Sequence, residues 1–364
     1  MKKYLFFLFA AILLLPGGRA LAQQSAEIPT TNLPSLVSAV RIEGPLNFCG
    51  EKVPLEIPDV RERLEKEMLL ILWNRPQVIL WLKRANRYFP YIESTLAGHN
   101  MPEDLKYVAV VESALLPHAG SSKGAVGFWQ FIKSTGRNYG LNITSSIDER
   151  RNVFASTKAA VSYFKDLHDL FGSWTMAAAA YNMGEDRLQG EQKNQQVDNF
   201  YHFHLYLETQ RYIFKIIAAK LIFSDPDRYG FNLQPQDLYP PQSFDRVKIT
   251  SQSNIPLYLV AQASGTYFKA IKDLNPEIRG HQLTKGAHVI AVPKGSGPEF
   301  HDSFATLVKQ WHKEYKMHVY IVKKGDSLTA IAERFEVPLP ALMAWNDLSP
   351  SRFIHPGEQL LIYQ

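Results

Sequence analysis

Residues 101–131, MPEDLKYVAVVESALLPHAGSSKGAVGFWQF, constrain this chain more than any other stretch. The first half has the marks of a helix. Asn100 can cap it, Pro102 suits a first turn, and Glu103 and Asp104 suit the positive end of the dipole. Apolar residues fall at Leu105, Val108 and Ala109, and the next position in that series is Glu112. The spacing predicts a carboxyl group on the inward face, with Pro117 ending the helix. Desolvation raises the pKa of such a group, and a carboxyl protonated near neutral pH can act as a general acid. The same position can equally hold a buried ion-pair partner without chemistry. Then comes Ser121-Ser122-Lys123-Gly124-Ala125-Val126-Gly127-Phe128-Trp129-Gln130. Its glycines, serines, aromatic pair and amide suit a loop that approaches a sugar closely.

Further helices are expected on both sides. Residues 59–73 and 76–97 carry apolar faces of the width found in bundles, joined at Asn74-Arg75. A helical region beginning at Asp148 stops at Gly172. Ser173 can cap a helix over 174–183, which Gly184 ends. There Tyr181-Asn182 stands at a helix end, where a phenol and an amide can point into a cleft or serve only as core and cap. A last long helix spans about 205–223 and contains Arg211-Tyr212.

The chain has 364 residues, enough for two or three domains, and is 46% hydrophobic and 21% charged. Of the net charge of +5, three positive charges (Lys2, Lys3, Arg19) lie in residues 1–22 with no acid, which leaves +2. That balance gives no argument for nucleic acid. Residues 1–22 read as a secretory signal: a charged start, an apolar run too short to span a bilayer, and Ala20-Leu21-Ala22 before the cleavage point. The expected product is exported to the periplasm or cell envelope. No cysteine stands at the cleavage point, so no lipid anchor is expected. Cys49, the only cysteine, reads as a small buried residue. Residues 23–57 form an N-terminal extended segment, with strand-like pieces at 40–42 and 53–57.

Residues 234–245 carry three prolines and read as a linker. Beyond it the chain repeats. Val260-Ala261, Ala270-Ile271, Leu274-Asn275 and Gly286 recur as Ile331-Ala332, Ala341-Leu342, Trp345-Asn346 and Gly357, each seventy-one residues later. That constant register implies duplication of a strand–helix–helix–strand unit, over 246–293 and 318–364, with 294–317 as linker. The last unit opens with Gly325-Asp326-Ser327-Leu328, whereas the first has Asn254-Ile255-Pro256 there.

These motifs resemble a secreted lytic murein transglycosylase of the membrane-bound type D group, with a C-terminal LysM module. Glu112-Ser113 resembles the family's catalytic Glu-Ser pair. Gly127-Phe128-Trp129-Gln130 resembles its Gly-Leu-Met-Gln motif, Ala180-Tyr181-Asn182 its Ala-Tyr-Asn motif, and Arg211-Tyr212 its tyrosine-bearing last helix. The resemblance implies a mainly α, lysozyme-like catalytic domain over 58–233, followed by small α+β LysM-type βααβ units. It implies cleavage of the β-1,4 bond between N-acetylmuramic acid and N-acetylglucosamine in peptidoglycan, leaving a 1,6-anhydro end. Glu112 would be the acid, and Ser113, Ser121, Gln130, Tyr181, Asn182 and Tyr212 would hold substrate. Ser121 stands nine residues before Gln130, as the family's sugar-contacting serine does. In the LysM unit, Gly325, Asp326, Ser327, Leu328, Asn346 and Leu348 would contact glycan. Glycan strands are the expected partner. No cofactor or metal is implied, and the histidines lack zinc spacing. Most glycosidases use two carboxyl groups. Glu185 or Glu208 as a second one would make the chain a water-using muramidase. A non-catalytic wall-binding protein is the other alternative.

Overall fold

A computed structural model describes residues 34–42, 44–314, 317–346, 348–349 and 352–363. The proposed signal segment, residues 23–33 and Asp347 lie outside these. After a short helix, α1 (Leu36–Ala39), a hairpin of β1 (Leu46–Phe48) and β2 (Glu51–Val53) turns at Cys49-Gly50, both with positive φ. The strands therefore lie between the two pieces expected from sequence. The hairpin has a structural role that sequence did not reveal. Glu51 reaches the start of a distant helix and accepts from the backbone N–H of Trp174 and Thr175 and from both flanking hydroxyls. A carboxylate there satisfies otherwise orphaned donors.

The helical domain runs α2 (Pro58–Trp73), α3 (Arg75–Gly98), α4 (Lys106–Ser113), α5 (Lys133–Asn138), α6 (Val153–Phe171), α7 (Trp174–Met183), α8 (Glu185–Gln195) and α9 (Leu207–Ser224). Local signals explain many of the ends. Asn152 caps α6 and Ser173 caps α7 through their side chains, and Gly172 closes α6 in the left-handed conformation. At α4 the expected end is corrected. The helix stops at Ser113, not Pro117, because Ala114 and Leu115 both turn left-handed, and Leu115 is fully buried. One apolar core unites these helices with the hairpin. Among the described residues, no helix is long and apolar enough to cross a membrane.

The segment read as a linker lies against α3: Tyr239 accepts from Asn86, and Lys83 and Arg87 sit over its ring. The first small unit follows. It comprises β3 (Phe244–Ser251), β4 (Ile255–Pro256), α10 (Leu257–Ala263), α11 (Phe268–Leu274), β5 (Gln282–Leu283) and β6 (Gly286–Pro293). An antiparallel ladder runs from Phe244↔Pro293 to Ser251↔Gly286. The stretch between the repeats, read as a linker with one helical segment, forms α12 (Gly297–Glu314), whose Phe300 and Trp311 are buried in this unit's core. The amphipathic spacing of those aromatics is the reason: their face needs a partner, and α10 supplies it. The last unit is β7 (Met317–Ile321), α13 (Leu328–Arg334), α14 (Leu339–Trp345) and β8 (Gln359–Tyr363), with β7 paired to β8.

Candidate active site

A cleft of about 500 Å³ opens in the helical domain, lined by Glu112, Ser121, Gln130, Tyr181, Asn182, Glu185 and Glu208 among others. Glu112 is the penultimate residue of α4. Leu105, Val108 and Ala109, earlier in its series, are fully buried, and Glu112 itself is half-buried. Tyr212 of α9, itself buried, donates its hydroxyl to Glu112 Oε1 at 2.6 Å. The Glu112 carboxyl is pushed up to about 7, chiefly by burial. The Tyr212 hydrogen bond acts in the opposite direction, and the negative charge of Glu208 adds to the rise. Tyr212 is raised well above the usual tyrosine value, first by burial and then by Glu112, so it remains a donor. The group can therefore exist as acid or base near neutral pH.

The loop facing it is held by contacts that sequence did not disclose. Gly127 has φ +85°, and a Cβ there would lie 1.8 Å from the Arg150 carbonyl oxygen, so no other residue fits. Arg150 is buried, paired twice with Asp148 at 2.8 Å, and donates to the carbonyls of Gly124 and Phe131 on either side of the motif. A charged residue in a polar loop gives no periodic signal, which is why this clamp is invisible in the sequence. Gln130, at φ +47°, donates its amide to Ala119 and Gly127 carbonyls. Its carbonyl oxygen is left to accept from a ligand.

Tyr181 stacks on Phe164, with ring centroids 4.6 Å apart, and donates to the Trp129 carbonyl at 2.6 Å. Asn182 accepts from Thr209, leaving its own N–H groups, and Ser121 accepts from Ala125 N–H, leaving its hydroxyl proton. Glu185, at the start of α8, takes the hydroxyl of Tyr163, and Glu208 pairs with Lys123 at 3.2 Å. Tyr163 sits in the apolar series of α6, where a functional tyrosine looks like a core one.

Three groups near the cleft are engaged within the protein. Ser113 is buried and donates to Ala109 and Phe128 carbonyls, which ties the helix carrying Glu112 to the loop. Phe128 and Trp129 are fully buried; Trp129 donates to Thr157 and Phe128 packs edge-on to Tyr88 at 4.8 Å. Tyr212 is buried, with its hydroxyl donated to Glu112.

In the last unit, Gly325 (φ +91°) and Ser327 are exposed. Ser327 caps α13, and Asp326 accepts from Lys323 N–H and the Tyr320 hydroxyl. Asn346 is corrected: its amide is consumed by Leu342 and Leu361 backbone groups. Leu328 and Leu348 are half-buried against the unit's core.

Residues 89–203 match the model of the transglycosylase SLT domain and 320–362 that of the LysM domain. Residues 243–309 match the LysM-like domain of lytic transglycosylase MltD, a span that includes most of α12. Over 330 residues the chain is 33% identical to the membrane-bound lytic murein transglycosylase D of Escherichia coli K12, covering 86% of this chain and 72% of that protein. The chain belongs to this family. It is thus an enzyme of the lytic transglycosylase class. A stretch of 90 residues is 39% identical to the peptidoglycan transglycosylase gp16 of Escherichia phage T7, covering 24% of this chain and 7% of that protein. Among solved structures, the 70 kDa soluble lytic transglycosylase of Escherichia coli is similar over 50% of this chain and 31% of its own, at 17% identity and a TM-score of 0.36. Within the transglycosylase D family, the SLT match takes in Glu112, Gln130, Tyr181 and Asn182, and Tyr212 lies beyond it.

Proposed function

We propose that this transglycosylase acts on peptidoglycan in the cell envelope, cleaving the bond between N-acetylmuramic acid and N-acetylglucosamine and leaving a 1,6-anhydro end. The observation that carries the reading is that, of the three carboxyl groups lining the cleft, Glu112 is the one held by Tyr212 and poised near pH 7. In its protonated form Glu112 gives its proton to the glycosidic oxygen as the C1–O bond breaks. The substrate's own N-acetyl oxygen then bonds to C1, as in substrate-assisted glycosidases. The Glu112 carboxylate takes the proton of the muramyl 6-hydroxyl, whose oxygen attacks C1 and displaces the N-acetyl oxygen. Glu112 ends protonated, and no water is consumed. Ser121, Gln130, Tyr181 and Asn182 would line the sugar's path. The exposed Gly325–Ser327 backbone of the last unit would hold glycan and keep the cleft near its substrate.

A second reading rests on Glu185 and Glu208, which also line the cleft and give a water-using muramidase a possible base. Both are engaged, by Tyr163 and Lys123, which favours the first reading. Mass spectrometry of digested sacculi separates the two. Products ending in 1,6-anhydromuramic acid are expected, each one water lighter than a hydrolysis product. Reducing muramic ends as the main product would overturn the proposal.

A further inference from the structure

We propose that the cleft between the two small units is a second sugar site, which takes a neutral N-acetylglucosamine unit of a glycan strand. The cleft holds about 640 Å³ and is walled by Tyr258 and Phe268 of the first unit and Trp345 of the last. His281 stacks on Phe268 at 5.4 Å, extending a flat wall. Ring faces of this kind accept the C–H faces of sugars. Two polar atoms in residues lining the cleft are buried without a hydrogen-bond partner: the hydroxyl of Tyr363, a residue only 2% exposed, and Gln282 Oε1. Buried unpaired polar groups are unfavourable and call for a partner. One of them can donate and the other can only accept, which matches a ligand with both hydroxyl and amide groups. The phenol is fixed in place, since its ring lies 5.4 Å from that of Trp345.

The charge of the lining selects among sugars. Among the described residues no Lys, Arg, Asp or Glu lines the cleft, so a charged ligand would be desolvated there without compensation. Muramic acid carries a carboxylate and, in the wall, a charged peptide. N-acetylglucosamine carries neither. The site shares no residue with the Gly325–Leu328 loop, and it exists only when both units are present. The identity of the sugar rests on the peptidoglycan reading above, but the site does not use the catalytic cleft.

The test uses full-length Glu112→Gln protein and a soluble β-1,4 trimer of N-acetylglucosamine. The indole N–H resonance of Trp345, identified by its loss in Trp345→Phe, should shift on titration. Tyr363→Phe, which removes only the hydroxyl, should weaken the dissociation constant read at that resonance about 2- to 10-fold. A muramyl peptide without N-acetylglucosamine (muramyl dipeptide) should bind there at least about tenfold more weakly. A Trp345 resonance that stays put while other signals shift would overturn the second site and leave the peptidoglycan reading intact. So would an affinity unchanged in Tyr363→Phe, or equal binding of the muramyl peptide. Anhydro products from sacculi, measured separately, decide the first reading whatever Trp345 does.

Discussion

The two repeated units keep the same clasp and differ in almost everything around it. In the first, Asn275 donates to the Ile271 and Ala291 carbonyls and accepts from Ala291 N–H; in the last, Asn346 does the same with Leu342 and Leu361. This amide joins the second helix to the final strand, so it belongs to the fold and not to a ligand. The opening loops diverge. In the first unit β4 pairs with β5, and Leu257 N–H donates to His281, which zips the loops together. In the last unit the corresponding loop presents exposed Gly325 and Ser327.

The surroundings diverge as well. The first unit is stitched to the catalytic domain by backbone bonds, Asp148 N–H to Glu277 and Arg279 N–H to Ser146, flanking an Ile147↔Ile278 bridge. Asp148 is also the residue that holds Arg150, which clamps the Gln130 loop. Seventy-one residues after Arg279 the chain has Pro350, which has no N–H to give. A duplicated fold has kept its internal clasp while one copy is bonded to the catalytic domain and the other presents an exposed loop.

If chemistry and holding are separate in this way, Glu112→Gln should lower turnover of sacculi by about 10²–10⁴-fold or more and leave sacculus pull-down unchanged. Turnover within a few-fold of the parent would remove Glu112 from the role of acid. The pH profile sharpens the same contrast. Glu112 must be protonated to start the reaction, so turnover should be retained below about 7 and fall by about tenfold per unit above it. Pull-down should stay flat from pH 6 to 8, because Asp326 is held below the usual carboxylate range, first by Lys323 N–H and then by the Tyr320 hydroxyl. A turnover profile with no fall above neutrality would contradict the buried acid.

The bonding to the catalytic domain is broken by Arg279→Pro, which deletes the donor to Ser146. Turnover of short soluble glycans should drop by about tenfold, given that small displacements of catalytic groups cost up to about 10²-fold. Hydrogen exchange should rise in residues 121–131. Arg279→Ala, which keeps the N–H, should behave like the parent. Equal rates and protection in both variants would reduce the first unit to a passive spacer. The smallest effect concerns the last unit. Deleting residues 319–364 should weaken sacculus pull-down several-fold through lost effective concentration, with turnover of short soluble glycans within about twofold. Unchanged pull-down would show that the wall is held elsewhere.

Much of this protein is set by short-range information. Helix faces, the caps at Ser173, the stops at Gly172 and Gly184, and the seventy-one-residue register are each written in neighbouring residues, because periodicity and capping act within a turn or two. The place of Glu112 on an inward face was legible for the same reason. Which way a side chain ends up pointing was not. Phe128 and Trp129 stand in a polar loop, yet they are core, because Tyr88 and Thr157 arrive from other helices to cover them. Ser113 and Asn346 read as ligand groups until backbone carbonyls from distant elements take their hydrogen bonds. The Arg150 clamp, the Glu51 cap on α7 and the docking of α12 all join residues far apart in sequence, and no local pattern encodes such a pairing. Sequence marked most of the long helices and put Glu112 on an inward face. Tertiary packing alone decided which polar groups were spent on the fold and which were left for a substrate.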